Sequence, residues 1–356
     1  MHCWHVIIHG GKIGSLQVST WNINGYKSKI LGNKLIDFDF LREIQDDDII
    51  GLTETHINDG TIEQLSIPGF KRITFKNRPL KSKKGSGGIA IFAKNTIAEF
   101  IVPQNNNHLD ALWVKVKKEK TGETDDIFIC TVYLSPNKNK QHDIEGFRGL
   151  YEEIVFFRKK GQVYIQGDMN AHTKNERDFI KSGTFVNLHH EHGESGTSIL
   201  EDNISSNLYG WEIRNSEDKI PIDSRGRILL ELCKTLNLII VNGRKTGDLF
   251  GKITSFQWNG NSAIDYVITE HEYFDKIAWL QVGNYLPWIS DHCAVHFQIV
   301  LRNMTECTNS PTPPNKNKYE PFLGGEGSQE KFQKSLEENT HFWEQFFKLM
   351  IDTHKN

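Results

Sequence analysis

The chain has 356 residues, of which 37% are hydrophobic and 24% charged, and its formal net charge is −3 at pH 7. This composition is typical of a folded globular protein and excludes a disordered or strongly basic chain. No stretch approaches the roughly 18 apolar residues of a membrane-spanning helix, and Val6–Ile8 is too short for the apolar core of a signal peptide. We therefore expect an intracellular protein, nuclear or cytoplasmic, without a membrane partner.

The cysteines are dispersed and odd in number, the five being Cys3, Cys130, Cys233, Cys293 and Cys307. None belongs to a C-x-x-C pair, which argues against a zinc knuckle or a disulfide framework. Cys130 and Cys233 lie in apolar stretches. They are predicted to be plain core residues in a reducing compartment.

Strand-like runs recur along the chain, many of them alternating apolar with polar residues. In chain order they are Leu16–Trp21, Asp48–Leu52, Phe70–Phe75, Gly88–Ala93, Ala111–Val116, Ile127–Tyr133, Gln162–Gln166, Leu238–Val241, Ala263–Ile268 and Cys293–Val300. Helical patterns with one apolar face interrupt them at Lys34–Ile44, Asp143–Arg158 and Ser224–Leu236. Strands that outnumber helices in this way predict packed sheets covered on the outside by helices.

Segments with weak patterning flank and interrupt these elements. Residues 1–15 are predicted to be a disordered leader, and the polar stretch 185–222 is predicted to be a surface excursion. Its histidines are interpreted as exposed by chance and not as a metal site; they are His189, His190 and His192. The Pro- and Asn-rich segment 303–327 is typical of a linker, and 328–356 is predicted to hold an amphipathic helix and a tail.

Basic residues cluster locally although the net charge is slightly negative. One cluster is Arg78, Lys81, Lys83 and Lys84, and the other is Lys115, Lys117, Lys118 and Lys120. Such clusters can bind a phosphate backbone on a near-neutral protein. Solvated loops and strand edges explain them equally well, so both interpretations stay open.

Short polar motifs follow or end several strand-like runs. In chain order they are W-N-I-N-G (Trp21–Gly25), L-T-E-T-H (Leu52–His56), G-D-M-N (Gly167–Asn170), S-A-I-D-Y (Ser262–Tyr266) and S-D-H (Ser290–His292). They supply the carboxylate and amide oxygens that Mg²⁺ prefers, a carboxylate base candidate and a histidine. Cleavage of a phosphodiester needs charge neutralisation, an activated water and in-line positioning. The motif set therefore predicts metal-assisted phosphoester cleavage.

The order and residue types of these motifs resemble the endonuclease/exonuclease/phosphatase family. Within it they look most like the endonuclease domains of LINE-type non-LTR retrotransposon proteins. The resemblance covers about Gln17 to Val300, and two further stretches, Gly85–Lys94 and Asp223–Arg244, look like passages of the retrotransposon branch. It implies an α/β fold over residues 16–302, a four-layer sandwich of two packed mixed β-sheets flanked by helices, with the active site at one end of the sheets.

The resemblance implies a metal site at the second motif. Glu54 would be the principal ligand of Mg²⁺, for which Mn²⁺ can substitute, and Asn22 would help to order the ion and its water shell. A glutamate at the end of an apolar strand is costly to bury unless it is paired or metal-bound, which agrees with this role. Alone, Asn22 before Asn-Gly is also typical of a turn.

The resemblance also implies the catalytic groups. Asp168 would orient or deprotonate the attacking water, and Asn170 would donate to a phosphate oxygen or to the base. His292 would contact the scissile phosphate, with its tautomer and orientation fixed by Asp291. Tyr133 would lie near the phosphate, although plain packing in a strand also explains a tyrosine there.

Further residues are expected at the substrate. Asp265 is expected to position Asn or His groups from below. Thr254 matches a position near the DNA in the retrotransposon branch, and Ser290 is expected to position the last loop.

These inferences predict a Mg²⁺-dependent endonuclease that nicks DNA and is monomeric. The expected partners are DNA and a reverse transcriptase module normally encoded downstream. Two alternatives stay open: the same site could hydrolyse a small or lipid phosphoester, because a fold alone does not set the substrate, or the chain could be an inactive domesticated remnant that binds DNA or protein. The intact motif residues count against the second alternative.

Overall fold

The computed structural model describes residues 8–9, 12–57, 62–77, 87–136, 140–179, 211–258 and 260–301. The chain divides into two units, Met1–Pro314 and Asn315–Asn356, and the described residues all belong to the first. The basic cluster predicted at 78–84, the histidines at 189, 190 and 192, and the linker and helix predicted at 303–356 lie outside the described residues. Their roles stay predictions.

Strands make up most of the regular structure. In chain order they are β1 (Ile8–His9), β2 (Lys12–Ile13), β3 (Ser15–Asn22), β4 (Lys27–Ser28), β5 (Gly32–Asn33), β6 (Ile49–Thr53), β7 (Phe70–Lys76), β8 (Ile89–Lys94), β9 (Ile101–Gln104), β10 (Ala111–Val116), β11 (Asp126–Tyr133), β12 (Gly161–Asp168), β13 (Leu238–Ile240), β14 (Ser255–Gln257), β15 (Gly260–Ser262), β16 (Asp265–Glu270), β17 (Ile277–Val282) and β18 (Val295–Val300). Every strand-like run predicted from the sequence corresponds to one of them. The short pair β1–β2 lies within the segment predicted to be a leader.

The helices are α1 (Phe38–Ile44), α2 (Lys118–Thr121), α3 (Lys140–Arg158) and α4 (Ser224–Leu236), with short 3-10 helices at Lys34–Ile36, Ile62–Gln64, Ala98–Phe100 and His271–Lys276. The single helix predicted over Lys34–Ile44 is wrong, because the backbone is extended at Asp37. The Asp37 carboxylate accepts the amide hydrogens of Asp39 and Phe40 and so begins α1 as its N-cap. Among the described residues, no helix is both long enough and apolar enough to cross a membrane.

The main strands form two mixed six-stranded sheets. The first sheet has the order β17-β18-β3-β6-β8-β7, and the second has the order β13-β16-β12-β11-β10-β9. Each contains one parallel pair near its centre, β3 with β6 and β11 with β12, and the other described pairs are antiparallel. Because parallel strands end at the same edge of a sheet, each pair delivers two strand ends side by side.

Apolar layers separate the sheets from each other and from the helices. Ile129 belongs to the core between the two sheets. On the outer face of the second sheet, Trp113 stacks on Phe157 of α3 with ring centroids 4.3 Å apart. On the outer face of the first sheet, Trp21 stacks on Phe40 of α1 at 5.2 Å. The predicted four-layer α/β sandwich is thereby confirmed.

The two sheets lie in close contact at Gly51 of β6. A Cβ atom there would overlap the Thr131 side chain of β11 and crowd the Gln166 amide. Threonine is β-branched and stiff at χ1, so it cannot turn away without a change of rotamer. A residue without a side chain is therefore required at this point.

Gly51→Ala is expected to destabilise the protein by about 1–3 kcal/mol through overpacking. The additional substitution Thr131→Ala should recover part of that loss, because it removes the atoms that clash. Chemical denaturation of the two single variants and the double variant measures this coupling. Gly146→Ala in α3 is the control, since its new Cβ would meet only Leu134 at an ordinary 3.5 Å. Simple additivity of the two effects would contradict the predicted contact.

Candidate active site

The polar motifs meet at one end of the sandwich because of how the strands pair. In the first sheet, Asn22 at the end of β3 pairs with Thr53 at the end of β6. In the second sheet, Tyr133 at the end of β11 pairs with Asp168 at the end of β12. Asp265 begins β16, which runs antiparallel to β12, and it pairs with Asp168. The motifs are thus brought together by strand register.

Asn22 joins the two sheets at this end. Its buried side-chain amide nitrogen donates to Glu54 Oε1 and to Asp168 Oδ2, both at 2.9 Å. Its amide oxygen accepts the backbone amide of Asn24 at 3.0 Å, and its backbone carbonyl accepts the Ser290 hydroxyl at 2.7 Å. Asn22 therefore orients carboxylates from both sheets.

Glu54 is held in its ionised form. Its Oε2 lies 3.0 Å from His56 Nε2, and its backbone has the left-handed φ of 50°, a strained conformation of the kind found at functional sites. Burial alone would raise the pKa of this carboxyl, but hydrogen bonds from His56, Asn22 and Tyr133 outweigh it and lower the pKa to about 2. The side chain is still 22% exposed, so a cation from solvent can reach it.

His292 is fixed on both sides of its ring. Nδ1 lies 2.8 Å from Asp265 Oδ2, and Nε2 lies 3.3 Å from the Ser255 hydroxyl. Thr254 donates its hydroxyl to the same Asp265 oxygen at 2.7 Å. The Trp21 indole donates to the His292 carbonyl at 2.8 Å and anchors the loop to the first sheet.

The surrounding carboxylates keep His292 protonated. Burial opposes the charged imidazole, but the nearby Asp265 and Asp168 charges and the Asp265 hydrogen bond raise the pKa of His292 to about 10. The pKa of the Asp168 carboxyl is also raised, by burial and by the Asp265 charge, against the charge of His292 and the hydrogen bond from Asn22. The site thus holds a cationic imidazole beside a carboxylate of raised basicity.

Asn170 lies beside Asp168 in a constrained turn. Its backbone amide donates to Asp168 Oδ1 at 2.9 Å, and its side-chain amide donates to the Leu134 carbonyl at 3.2 Å. Its φ of 45° is left-handed, a conformation that asparagine tolerates better than most residues. The loop after β12 is therefore held against the loop after β11.

The expected role of Asp291 is wrong in one respect. His292 is oriented by Asp265 and not by Asp291, whose Oδ1 instead accepts the Asn24 side-chain amide at 3.1 Å. The physical reason is geometric, because adjacent residues in the loop point in different directions. Asp291 adjoins His292 in the S-D-H motif, whereas Asp265 stands in the separate S-A-I-D-Y motif. The sequence alone could not show which of these acids faces the ring.

Thr254, Ser290 and Asp265 contact other groups of the site. All three side chains are buried. Thr254 holds Asp265, and Ser290 donates to the Asn22 carbonyl and accepts the His292 backbone amide at 3.1 Å. These contacts agree with the positioning roles expected of Asp265 and Ser290, whereas the expected place of Thr254 near DNA stays a prediction.

Lys34 is a site residue that the sequence analysis missed. Its buried ammonium donates to the carbonyls of Ile23 and Asn24 at 2.8 and 3.1 Å. Burial lowers the pKa of Lys34 to about 8, against the raising effect of the Asp291 and Glu54 charges. Its only signal in the sequence was a place in a helical pattern, which gives no hint that the side chain turns inward.

The candidate metal ligands differ in how well they fit a divalent cation. Among the described residues, one group offers ligand atoms within 4.8 Å of one another: Asp168, Asp265 and His292. Within this group, His292 Nδ1 and Asp265 Oδ2 form a direct hydrogen bond. A proton therefore occupies the place that an ion would need between those two atoms. Glu54 fits a hard cation better because it is ionised and partly exposed.

Asp265→Asn should lower the pKa of His292 by at least about 1 unit, because it removes the nearest opposite charge and leaves the burial unchanged. Asp291→Asn should lower the pKa of His292 much less. NMR titration of ¹⁵N-labelled histidine side chains measures both values. Equal shifts in the two variants would show that Asp265 is not the orienting acid.

Several known proteins are similar to this chain in sequence or in structure. The exodeoxyribonuclease of Bacillus subtilis (strain 168) is 28% identical over 161 residues, which is 44% of this chain and 59% of the length of that relative. The AP endonuclease LMAP from Leishmania major superposes with a TM-score of 0.54 at 13% identity, covering 81% of this chain and 88% of that one. For the Xenopus laevis APE2 catalytic domain the TM-score is 0.51 at 15% identity, with 81% and 94% covered.

A retrotransposon domain is also among the similar structures. The endonuclease domain of TRAS1, a telomere-specific non-LTR retrotransposon, has a TM-score of 0.48 at 16% identity and covers 81% of this chain and 99% of its own. At these identities the superpositions on the Leishmania and Xenopus proteins show the fold alone. The sequence pattern of one family, however, matches residues 19–292, most of the chain. The chain belongs to the Endonuclease/Exonuclease/phosphatase family.

Proposed function

We propose that the chain is a Mg²⁺-dependent endonuclease that nicks DNA and derives from a LINE-like element. The observation that carries the proposal is the meeting of Glu54, Asp168 and His292 at one end of the sandwich, where Asn22 donates to both carboxylates and Asp265 contacts the His292 ring. Phosphodiester hydrolysis needs a cation site, a base and a positive group for the phosphate. The retrotransposon origin is supported by the sequence stretches Gly85–Lys94 and Asp223–Arg244.

Each group has a place in the proposed reaction. Asp168 accepts a proton from the attacking water, for which its raised pKa is suited. His292 stays protonated and exchanges its 3.3 Å contact from Nε2 to the Ser255 hydroxyl for a hydrogen bond to a phosphate oxygen. Asn170 and Tyr133 orient the same phosphate. The oxygen of water bonds to phosphorus as the ester P–O bond breaks. Glu54 would hold Mg²⁺, which would supply positive charge to the phosphate and to the leaving oxygen.

Exposed aromatic rings support DNA as the substrate. Trp258, in the hairpin β14–β15, is 98% exposed, and the same hairpin carries Ser255 beside His292. Phe256 stacks on Tyr285 with centroids 4.4 Å apart. Nucleic-acid bases stack on such rings, whereas a small phosphoester has no base that could stack on a ring projecting into solvent.

Several finer predictions accompany the proposal. A monomeric enzyme, a reverse transcriptase module as partner and a nuclear or cytoplasmic location are all consistent with a retrotransposon endonuclease. Mn²⁺ is expected to replace Mg²⁺, because both accept carboxylate oxygens.

A supercoiled-plasmid assay with Mg²⁺ tests the function directly. The expected product is nicked circular DNA, with no cleavage of phospholipid or inositol phosphate panels run beside it. His292→Ala is the control for a contaminating nuclease. Turnover of a lipid or small phosphoester without nicking would favour the other phosphoesterases of the family, and no turnover with intact DNA binding would favour an inactive remnant.

Glu54→Gln should abolish most nicking at low Mg²⁺, because a neutral amide binds the cation more weakly than a carboxylate does. The diagnostic measurement is the nicking rate as a function of Mg²⁺ concentration, in which the midpoint should rise. Glu99→Gln is the matched control, since Glu99 is exposed on the 3-10 helix Ala98–Phe100, before β9. An unchanged Mg²⁺ midpoint in Glu54→Gln would remove this residue from the metal site.

Asp168→Asn and His292→Ala should each lower the nicking rate by at least about 10²-fold with the fold intact. The double variant should lose less than the product of the two, because groups that act together are not additive. Asp275→Asn, on a side chain that is 99% exposed, is the control. A near wild-type rate in either folded single variant would end the catalytic assignment of that residue.

A further inference from the structure

We propose that the first turn of α4 positions the two loops that carry Tyr133 and Asn170. The residues responsible, here called the α4 anchor, are Asp223, Arg225 and Gly226. None of them contacts the reacting atoms, so their role is positioning and not catalysis. The consequence for cleavage rests on the proposed function, whereas the contacts themselves do not.

The loops need support because the sheet ends where they begin. β11 and β12 pair in register up to Tyr133 and Asp168, and the Leu134 amide still donates to the Asp168 carbonyl at 2.9 Å. Beyond this point the two chains separate, and the carbonyls of Leu134 and Met169 have no ladder partner. A buried carbonyl without a donor is destabilising.

Arg225 supplies the missing donors. Its Nη2 donates to the Leu134 carbonyl at 2.7 Å and to the Met169 carbonyl at 2.9 Å. Its Nη1 donates to the Ser135 carbonyl at 3.3 Å. One guanidinium therefore ties the chain after β11 to the chain after β12.

The tie reaches the reactive groups through a shared oxygen. The Leu134 carbonyl that accepts from Arg225 also accepts the Asn170 side-chain amide at 3.2 Å. Tyr133 precedes Leu134 directly, and Met169 lies between Asp168 and Asn170. A shift of either carbonyl would therefore move a residue that is assigned to the phosphate or to the water.

The charge of Arg225 is balanced inside the protein. The side chain is only 8% exposed, and it forms an ion pair with Asp143 of α3. The guanidinium also lies over the Phe147 ring, 5.7 Å from its centroid. The planar fork of arginine can reach several acceptors at once, which a lysine ammonium at the same place cannot do with the same geometry.

The rest of the α4 anchor fixes the far end of the second loop. Asp223 Oδ1 caps α4 by accepting the Gly226 amide at 2.6 Å, and it also accepts the His172 amide at 3.2 Å. A Cβ atom at Gly226 would overlap the His172 carbonyl. The D-S-R-G sequence at 223–226 thus makes three contacts with the loop after β12. They are the hydrogen bond to Asp223, the hydrogen bond from the Arg225 guanidinium and the close backbone approach at Gly226.

A purely structural role is the alternative, and Arg158 provides the matched control. Arg158 also forms an ion pair, with Glu270 at 2.9 Å, and donates to a carbonyl, that of Leu236 at 3.0 Å. It connects the C-terminal ends of α3 and α4, whereas Arg225 and Asp143 connect the two helices near their N-terminal ends. Glu270 ends β16 and Asp265 begins it, so Arg158 lies away from the active-site end.

The test compares Arg225→Lys with Arg158→Lys in the full chain, at a temperature where both are folded by circular dichroism. Plasmid nicking gives kcat and KM, and hydrogen exchange with mass spectrometry reports on peptides covering 133–136 and 168–172. Arg225→Lys should lower kcat by about 10- to 100-fold with KM changed by less than about threefold, because it misplaces groups without removing binding surface. Its two loops should also exchange faster. Arg158→Lys should leave kcat and both loops unchanged.

Three results would overturn the proposal: unchanged exchange in both loops of Arg225→Lys, faster exchange with an unchanged kcat, or an equal loss of kcat in Arg158→Lys. If Arg225→Lys does not fold, Asp143→Asn replaces it. That variant keeps the Arg225 guanidinium but weakens its anchoring, so a smaller loss of kcat is expected. An unchanged kcat in Asp143→Asn would contradict the proposal. If the wild-type protein does not cut DNA, the proposed function fails, and the exchange measurement still decides whether the α4 anchor holds the loops.

Discussion

The site depends on one side-chain amide, that of Asn22, which hydrogen-bonds to a carboxylate on each of the two sheets. Glu54 follows β6 of the first sheet and Asp168 ends β12 of the second, and both accept from the same nitrogen at 2.9 Å. Two neighbouring carboxylates repel each other unless donors or cations lie between them. Asn22 supplies those donors, so it sets the separation of the proposed metal ligand and the proposed base.

The same constraint explains the different ionisation of the acids. Glu54 has several donors and some solvent, so its pKa is lowered, whereas Asp168 is buried beside Asp265 and its pKa is raised. The Asp265 carboxylate pairs with His292 and raises the pKa of that imidazole, which stays cationic. Glu54 and Asp168 thereby acquire separate proposed roles from their surroundings and not from a difference in their intrinsic chemistry.

Sequence patterns predicted those features that are local. Glu54, Asp168 and His292 stand in short motifs at strand ends, and α4 was predicted with its observed limits because its cap and apolar face lie in one segment. Contacts between distant segments could not be predicted in this way. The pairing of His292 with Asp265 instead of Asp291 depends on side-chain direction, and the inward course of Lys34 depends on burial. The stretch 185–222 was predicted to lie at the surface, yet Arg214 and Asp218 within it are buried.

The central claim is that a divalent cation binds at Glu54 while Asp168 and His292 stay free to act on water and phosphate. Anomalous diffraction from crystals of the full chain grown with Mn²⁺ tests it most directly. We expect a Mn²⁺ peak at about 2.1 Å from a Glu54 carboxylate oxygen, with the Asp265–His292 hydrogen bond intact. A peak between Asp265 and His292, with none at Glu54, would contradict it.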